Sequence, residues 1–183
     1  STDLSIIKNV NADAIIAVYP FTPQPIITQA LLLAADIPVF AGVGGGLTKG
    51  QRVVNLAMFA EMQGATGVVL NAPTANTVVQ HVAETIDIPV VVTVARADTD
   101  FEARLQAGAN IFNVSAAAET PAIVRSIRER YPDVPIIATG GPTDESILET
   151  IQAGANAITW TPPSNGEIFR DIMAAYRDNK PHP

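Results

Sequence analysis

The side chains that could do chemistry sit in short segments that follow apolar runs. The sharpest is Arg96-Ala97-Asp98, directly after Val90–Val94. A guanidinium offers two parallel donors to a carboxylate or phosphate, so Arg96 could clamp an anionic ligand or pair with Asp98 or Asp100. Those two aspartates also stand where a helix N-cap belongs. Lys49 sits near the end of a glycine-rich loop, Gly42-Val43-Gly44-Gly45-Gly46-Leu47-Thr48-Lys49-Gly50. It could meet an anion or stand in solvent. The loop lacks the Gly-Lys-Ser/Thr ending of a P-loop. It also lacks the acidic residue that a dinucleotide site needs after the next strand, where Asn71 stands. Gly44, Gly45 and Gly46 therefore read as a loop that lies against a substrate, with Asn71 and Asn113 as its hydrogen-bonding companions. Arg96, Asp98, Lys49 and Tyr19 are the candidates for catalysis.

A second constellation lies near the C-terminus. Thr139-Gly140-Gly141-Pro142-Thr143 and Thr159-Trp160-Thr161-Pro162-Pro163-Ser164-Asn165-Gly166 both follow apolar runs. Two adjacent glycines let backbone N–H groups approach an anion. Ser164 or Asn165 would cap a final helix, whose first donors and dipole favour a phosphate. Thr139, Gly140, Gly141, Thr161, Ser164, Asn165 and Gly166 form the candidate phosphate-binding set. The alternative is an ordinary turn and an ordinary cap.

Other chemistries lack their residues. The chain has no Cys, and His81 and His182 are its only histidines, which leaves no thiol nucleophile and no Cys/His metal centre. No strand body carries a Lys for a Schiff base. No strand end pairs two carboxylates for glycoside hydrolysis or a carboxylate metal cluster. Neither a metal nor a cofactor is expected. Acidic residues outnumber basic ones by 18 to 11, which argues against nucleic acid and anionic membranes as partners. No leader is visible, and no apolar run approaches the roughly 20 residues of a membrane span. A cytoplasmic protein is the expectation.

The elements that must position these residues come from a repeat. Asp36-Ile37-Pro38, Asp87-Ile88-Pro89 and Asp133-Val134-Pro135 each lead into a β-branched apolar run. Alternating with them come Gln63-Gly64-Ala65 and two identical pentapeptides 46 residues apart, Gln106–Asn110 and Gln152–Asn156. Such a period holds two strands and two helices. The runs are continuous rather than alternating, as in a parallel sheet buried on both faces. The predicted strands are Ala14–Tyr19, Val39–Val43, Gly67–Asn71, Val90–Val94, Ile111–Ser115, Ile136–Thr139 and Ala157–Thr161. A last helix near Asn165–Arg177 carries Ile168, Phe169, Ile172, Met173 and Tyr176 at helical spacing. The helix after Thr120 turns Ile123 and Ile127 inward and leaves Arg125, Arg128 and Arg130 mostly outward.

Strict alternation makes this an α/β chain, best read as a TIM-type (βα) barrel. Residues 1–183 form one domain with seven visible strands. The phase of the repeat places the missing member first, before Ser1, in an eight-fold plan. Its loss could be natural, a truncation, or made good by a partner chain. In such barrels the site lies at the C-terminal ends of the strands, with phosphate often on the loops after strands seven and eight.

The segment Val134-Pro135-Ile136-Ile137-Ala138-Thr139-Gly140-Gly141, with Ala153-Gly154-Ala155, Ala157–Thr161 and Ser164-Asn165, resembles the phosphate-binding branch of TIM barrels. Within that branch it is most similar to the glycerol uptake operon antiterminator regulatory proteins. Asn71-Ala72-Pro73-Thr74-Ala75-Asn76, opening a helix, fits the same order of elements. The resemblance implies a sensor of a glycerol-3-phosphate-like ligand that acts on mRNA antitermination.

Three functions follow as expectations. The first is binding of a small phosphorylated or anionic metabolite, as a sensor or regulator. The second is a lyase, isomerase or hydrolase acting on a phosphorylated sugar-like substrate. The third is an oligomeric structural protein, since 48% hydrophobic residues and the uncovered strand edges beside a gap suit a homo-oligomer, a dimer above all.

Overall fold

The computed structural model describes residues 3–19 and 21–181; His182 lies outside them. The elements run α1 (Asp3–Asn9), β1 (Ile15–Ala17), α2 (Pro25–Ala34), β2 (Val39–Gly44), α3 (Gln51–Met62), β3 (Gly67–Leu70), α4 (Asn76–Thr85), β4 (Val90–Val94) and α5 (Phe101–Gln106). They continue with β5 (Ile111–Val114), a 3₁₀ turn (Ala117–Glu119), α6 (Thr120–Arg130), β6 (Ile136–Thr139), α7 (Asp144–Gln152), β7 (Ala157–Thr159) and α8 (Asn165–Arg177). The strands pair in chain order, β1 to β7, and every pair is parallel. Strands and helices alternate around a nearly closed TIM-type barrel, open between β1 and β7. The two strands that flank the opening are shorter than the sequence predicts. Each has a ladder on one side only, so its ends lack the second row of hydrogen bonds that would hold them extended.

Local chemistry sets the element ends. Gly64, Gly108 and Gly154 take positive φ of 93°, 101° and 109°, closing their helices with the left-handed residue that a Cβ disfavours. Asp100 caps α5 by accepting from the Ala103 N–H at 3.0 Å, so the capping role falls to Asp100 and not to Asp98. The β2–β3 register shifts between Gly42 and Gly44. That bulge turns the strand out into the glycine loop.

Strand side chains alternate between two layers. Ala41, Val43, Val68, Leu70, Val90, Val92, Val94, Phe112, Val114, Ile136 and Ala138 form one core with helix residues such as Val53, Ala57, Val79, Val82, Ile123 and Ile127. Phe112 is fully buried there and meets Phe101 edge-on at 5.6 Å. The opposite parity, including Phe40, Val69, Val91, Ile111 and Ile137, faces the barrel interior. Burial falls toward the opening. Every residue of β3 is buried, β5 and β6 alternate, and β1 and β7 contain no buried residue. Strands buried on both faces are therefore found far from the gap, while near it the interior face is half-open.

Arg128 departs from the outward placement that its helical spacing predicts. It is half-buried, and its guanidinium donates to the Gly154 carbonyl (2.8 Å), to Asn156 Oδ1 (2.7 Å) and to the Val134 carbonyl (3.0 Å). It thereby ties α6 to the turn that leads into β7. Five fixed donors explain why an arginine takes this place among carbonyls.

Candidate functional site

The mouth of the barrel is formed where the inward-facing parity turns polar. Beyond the apolar Val69, Val91 and Ile111 come Asn71, Thr93, Asn113, Ser115, Thr139 and Thr159. The register sets Thr93 opposite Asn113 and Thr139 opposite Thr159. Asn113 Nδ2 donates to Thr93 Oγ1 at 3.3 Å, Thr139 Oγ1 to Ser115 Oγ at 3.2 Å, and Thr159 Oγ1 to Thr139 Oγ1 at 3.4 Å. These contacts are long for O–H···O bonds, so the hydroxyls hold one another loosely and keep donor and acceptor capacity. None of these groups carries a charge. Ser115 is exposed and the others are half-buried.

A pocket of about 250 Å³ opens beside this row at the ends of β1–β3. Tyr19 and Phe21 stack there at 5.2 Å, 16° from parallel. Gly44, Gly46 and Asn71 form the facing wall. The loop needs its glycines for packing. Gly45 has φ +96°, and a Cβ there would stand 1.7 Å from Thr74 Oγ1. A Cβ on Gly46 would stand 3.2 Å from Asn71 Nδ2. The Asn71 N–H donates to the Gly44 carbonyl at 2.9 Å, and Thr48 Oγ1 donates to Thr22 Oγ1 at 2.9 Å. Arg104 fixes the turn beneath by donating to the Ala72 and Thr74 carbonyls and to Asn76 Oδ1. Its partial burial pulls its pKa down from the ordinary arginine value.

The charged candidates stand apart from this pocket. Arg96 donates to Asp98 through Nε (2.9 Å) and Nη2 (2.8 Å), with the two side chains 77% and 68% exposed. The shared hydrogen bonds raise the Arg96 pKa and lower that of Asp98. Lys49 is exposed. The structure thus joins Arg96 to Asp98 and brings neither to Tyr19.

At the loops after β6 and β7, local structure already uses several of the donors. A Cβ on Gly140 would stand 2.7 Å from Ile147 and 2.8 Å from Ile158, so close packing accounts for that glycine. Gly141 has φ +84°. Thr143 and Ser146 form a capping box at α7. At α8, Glu167 Oε2 accepts from the Ser164 N–H and Oγ–H, both at 2.7 Å, while the Glu167 N–H donates to Ser164 Oγ at 3.3 Å. The Ser164 bonds hold the Glu167 carboxyl below its ordinary pKa. Thr161 and Gly166 are exposed, and Asn165 begins the helix. The first turns of α7 and α8 carry Asp144, Glu145 and Glu167, so the dipoles there already face carboxylates.

Sequence reasoning missed Phe21, Thr22 and Arg104. It passed over Glu167 as well, although Ser164-x-x-Glu167 is a legible capping-box pattern. Nothing local marks Arg104, whose partners lie about thirty residues away. Among the described residues no cluster of His, Asp or Glu could hold a metal ion, and no helix is long and apolar enough to cross a membrane.

No protein-family model and no curated protein matches the chain. Many solved structures match its fold. A candidate phosphonomutase from Burkholderia cenocepacia J2315 aligns with 97% of this chain and 98% of its own at TM-score 0.66 and 14% identity. The 4-hydroxy-tetrahydrodipicolinate synthase of Methylacidiphilum fumariolicum SolV aligns with 97% of this chain and 67% of its own at TM-score 0.67 and 18% identity. A 2,3-dimethylmalate lyase of the PEP mutase/isocitrate lyase superfamily aligns with 86% and 67% at TM-score 0.64 and 14% identity. The chain spans about two thirds of the length of the last two. At these identities the likeness shows a TIM-barrel fold. It gives no support to the narrower resemblance to glycerol antiterminator proteins, which rested on loop residues that many such barrels share.

Proposed function

We propose that this chain binds a small, oxygen-rich anionic metabolite at the C-terminal mouth of its barrel. The observation that carries the reading is the row Thr93–Asn113 and Ser115–Thr139–Thr159, neutral donors and acceptors linked along adjacent strand ends, with Asn71 of the same parity lining the Tyr19 pocket. Neutral hydrogen bonds at a strand-end mouth suit carboxylates and hydroxyls. The Gly140 and Gly141 backbone, with Thr161, Ser164, Asn165 and Gly166, extends the same surface toward an anion. Asp144, Glu145 and Glu167 in the first turns at that end repel any anion there, which leaves the neutral row as the better seat. Among the described residues the mouth shows no paired acid and base, which supports binding without turnover, as in a sensor.

A lyase or hydrolase acting on a small acid is the second reading. Proteins with this fold include a phosphonopyruvate hydrolase solved with oxalate and Mg²⁺ and a 2,3-dimethylmalate lyase. Tyr19 would then be the proton-transfer group nearest the pocket. The test is thermal unfolding with oxalate, inorganic phosphate and triose phosphates, paired with ¹³C and ³¹P NMR of each mixture over time. Binding predicts stabilisation by oxalate and an unchanged NMR spectrum. Loss of substrate signals selects the enzyme reading, and no stabilisation by any of the three overturns both.

A further inference from the structure

The outer faces of the helices differ in charge. α4 presents Glu84 to solvent, α6 presents Arg125, Glu129 and Arg130, and α7 presents Asp144, Glu145 and Glu149. On α8 the exposed Phe169 and Met173 are interleaved with the exposed Arg170 and Asp171. α2 is different, because no charged residue occurs from Ala14 to Ala35. It packs on the barrel through the buried Thr28 and Leu31. Its outward stripe is Ile26, Gln29, Ala30 and Leu33, the spacing of one helix face, with Ile26 68% and Leu33 81% exposed.

α3 packs beside α2 and continues this surface with Asn55, Met58, Phe59 and Met62, all exposed. An open cleft of about 300 Å³, with Pro25, Leu56 and Phe59 in its walls, runs between the two helices. The five large apolar side chains leave about 650 Å² in water, above the roughly 300–600 Å² of the largest patch on an ordinary monomer. The neutral Gln29, Ala30 and Asn55 bring the face to the roughly 800 Å² that each partner gives to a standard interface.

We propose that the α2–α3 face is a two-fold interface with a second copy of this chain, in which α2 crosses its copy antiparallel. The interface lies in the helix layer, not at the strand edges beside the opening. Charge selects a copy as the occupant. Two chains of formal charge −7 repel each other, so they meet best where neither carries charge. Near a two-fold axis each group also faces its own like, which a neutral stripe tolerates and a charged one does not. Ile26 and Leu33 lie equally far along the helix from the Gln29–Ala30 centre, so antiparallel helices set Ile26 against the partner's Leu33. At that centre the small Ala30 lets the helices approach, and the Gln29 amide, donor and acceptor at once, pairs with its own copy. The rim selects the antiparallel arrangement over the parallel one. Lys49 and Arg52 stand at the N-terminal end of the face; Asp36, which Lys8 also holds, and Glu61 stand at the C-terminal end. Reversal of one copy brings cations to carboxylates at both ends.

Light scattering at micromolar concentration is expected to give twice the mass of the chain. Leu33→Glu should weaken association at least tenfold and leave the circular dichroism unchanged, since that side chain already stands in water. An equimolar mixture of Leu33→Glu and Ile26→Lys chains should regain the dimer, because antiparallel docking sets the new carboxylate against the new ammonium. The chain has no Cys, so Ala30→Cys carries a single thiol, and a short bismaleimide should join two such chains while leaving Leu148→Cys chains, altered on α7, single. A monomer at high micromolar concentration overturns the interface, and a monomer that floats with phosphatidylcholine vesicles gives the face to lipid instead. A dimer that survives Leu33→Glu, or that joins equally well through Leu148→Cys, overturns the choice of face. A mixture that stays monomeric overturns the antiparallel arrangement. If Leu33→Glu precipitates, the Ala30→Cys and Leu148→Cys comparison decides the face by itself.

Discussion

The mouth owes its character to individual side chains of one parity. Replacing Thr139 by Val keeps the volume but removes the hydroxyl that links Ser115 to Thr159. Loss of one such bond costs about 1 kcal/mol, so oxalate affinity should fall about five- to tenfold while the unfolding midpoint moves little; calorimetric titration measures the affinity and scanning calorimetry the midpoint. Gly45→Ala acts in the opposite way. Its Cβ would collide with Thr74 in a conformation that L-residues avoid, and strain with repacking costs about 2–4 kcal/mol. The midpoint should fall by about 5–15 °C, read by calorimetry. The sequence shows that Gly44–Gly46 form a loop against something. It cannot show that the something is Thr74 and Asn71, because that contact is set by the β2 bulge. Arg96 and Asp98 were legible as partners, since two residues of separation and complementary forks suffice to predict the ion pair.

The elements themselves were legible wherever two ladders hold a strand. β4 and β6 keep their predicted limits, and so does α8, because the Asp-x-Pro entries and the Ser164 cap are local signals. The edges of β1 and β7 were not, since fraying depends on a neighbour that local sequence does not contain. Arg128 escaped for a similar reason: helical spacing alone assigns it outward, and only the turn into β7 supplies its carbonyls. Arg128→Met should leave those carbonyls and Asn156 poorly paired and destabilise the fold by about 2–3 kcal/mol, measured by urea unfolding. The start of α8 should depend on pH. The Glu167 carboxyl is held below its ordinary 4.5 by Ser164. Its contribution is therefore complete above that value and is lost as pH falls through the lowered folded-state one. Amide shifts of Ser164 and Glu167 should stay constant from neutral pH down to that range and then move together; Glu167→Gln should flatten the titration. Movement that begins near neutrality would mean that another group controls the helix start.

At the scale of the molecule, the repeat foretold both the barrel and its opening. Seven parallel strands in chain order leave one place unfilled, and burial declines toward it from both sides. That decline explains why a chain this apolar exposes Trp160, Phe169 and Met173. It also explains the half-open interior at which the polar row ends. The ligand was less legible than the fold because the mouth speaks through neutral hydroxyls and amides, which also serve as ordinary strand-end residues. A charged cluster would have announced itself in the sequence, and the charged candidates turn instead to one another or to solvent.

The most direct test of a mouth that binds small oxygen-rich anions is a two-dimensional amide NMR titration with oxalate. The account predicts saturable shifts that converge on Asn71, Thr93, Asn113, Ser115, Thr139 and Thr159, with the Asn71 and Asn113 side-chain amides among them. Shifts gathered instead at Lys49, Arg96 and the other exposed cations, or none at millimolar oxalate, would contradict it.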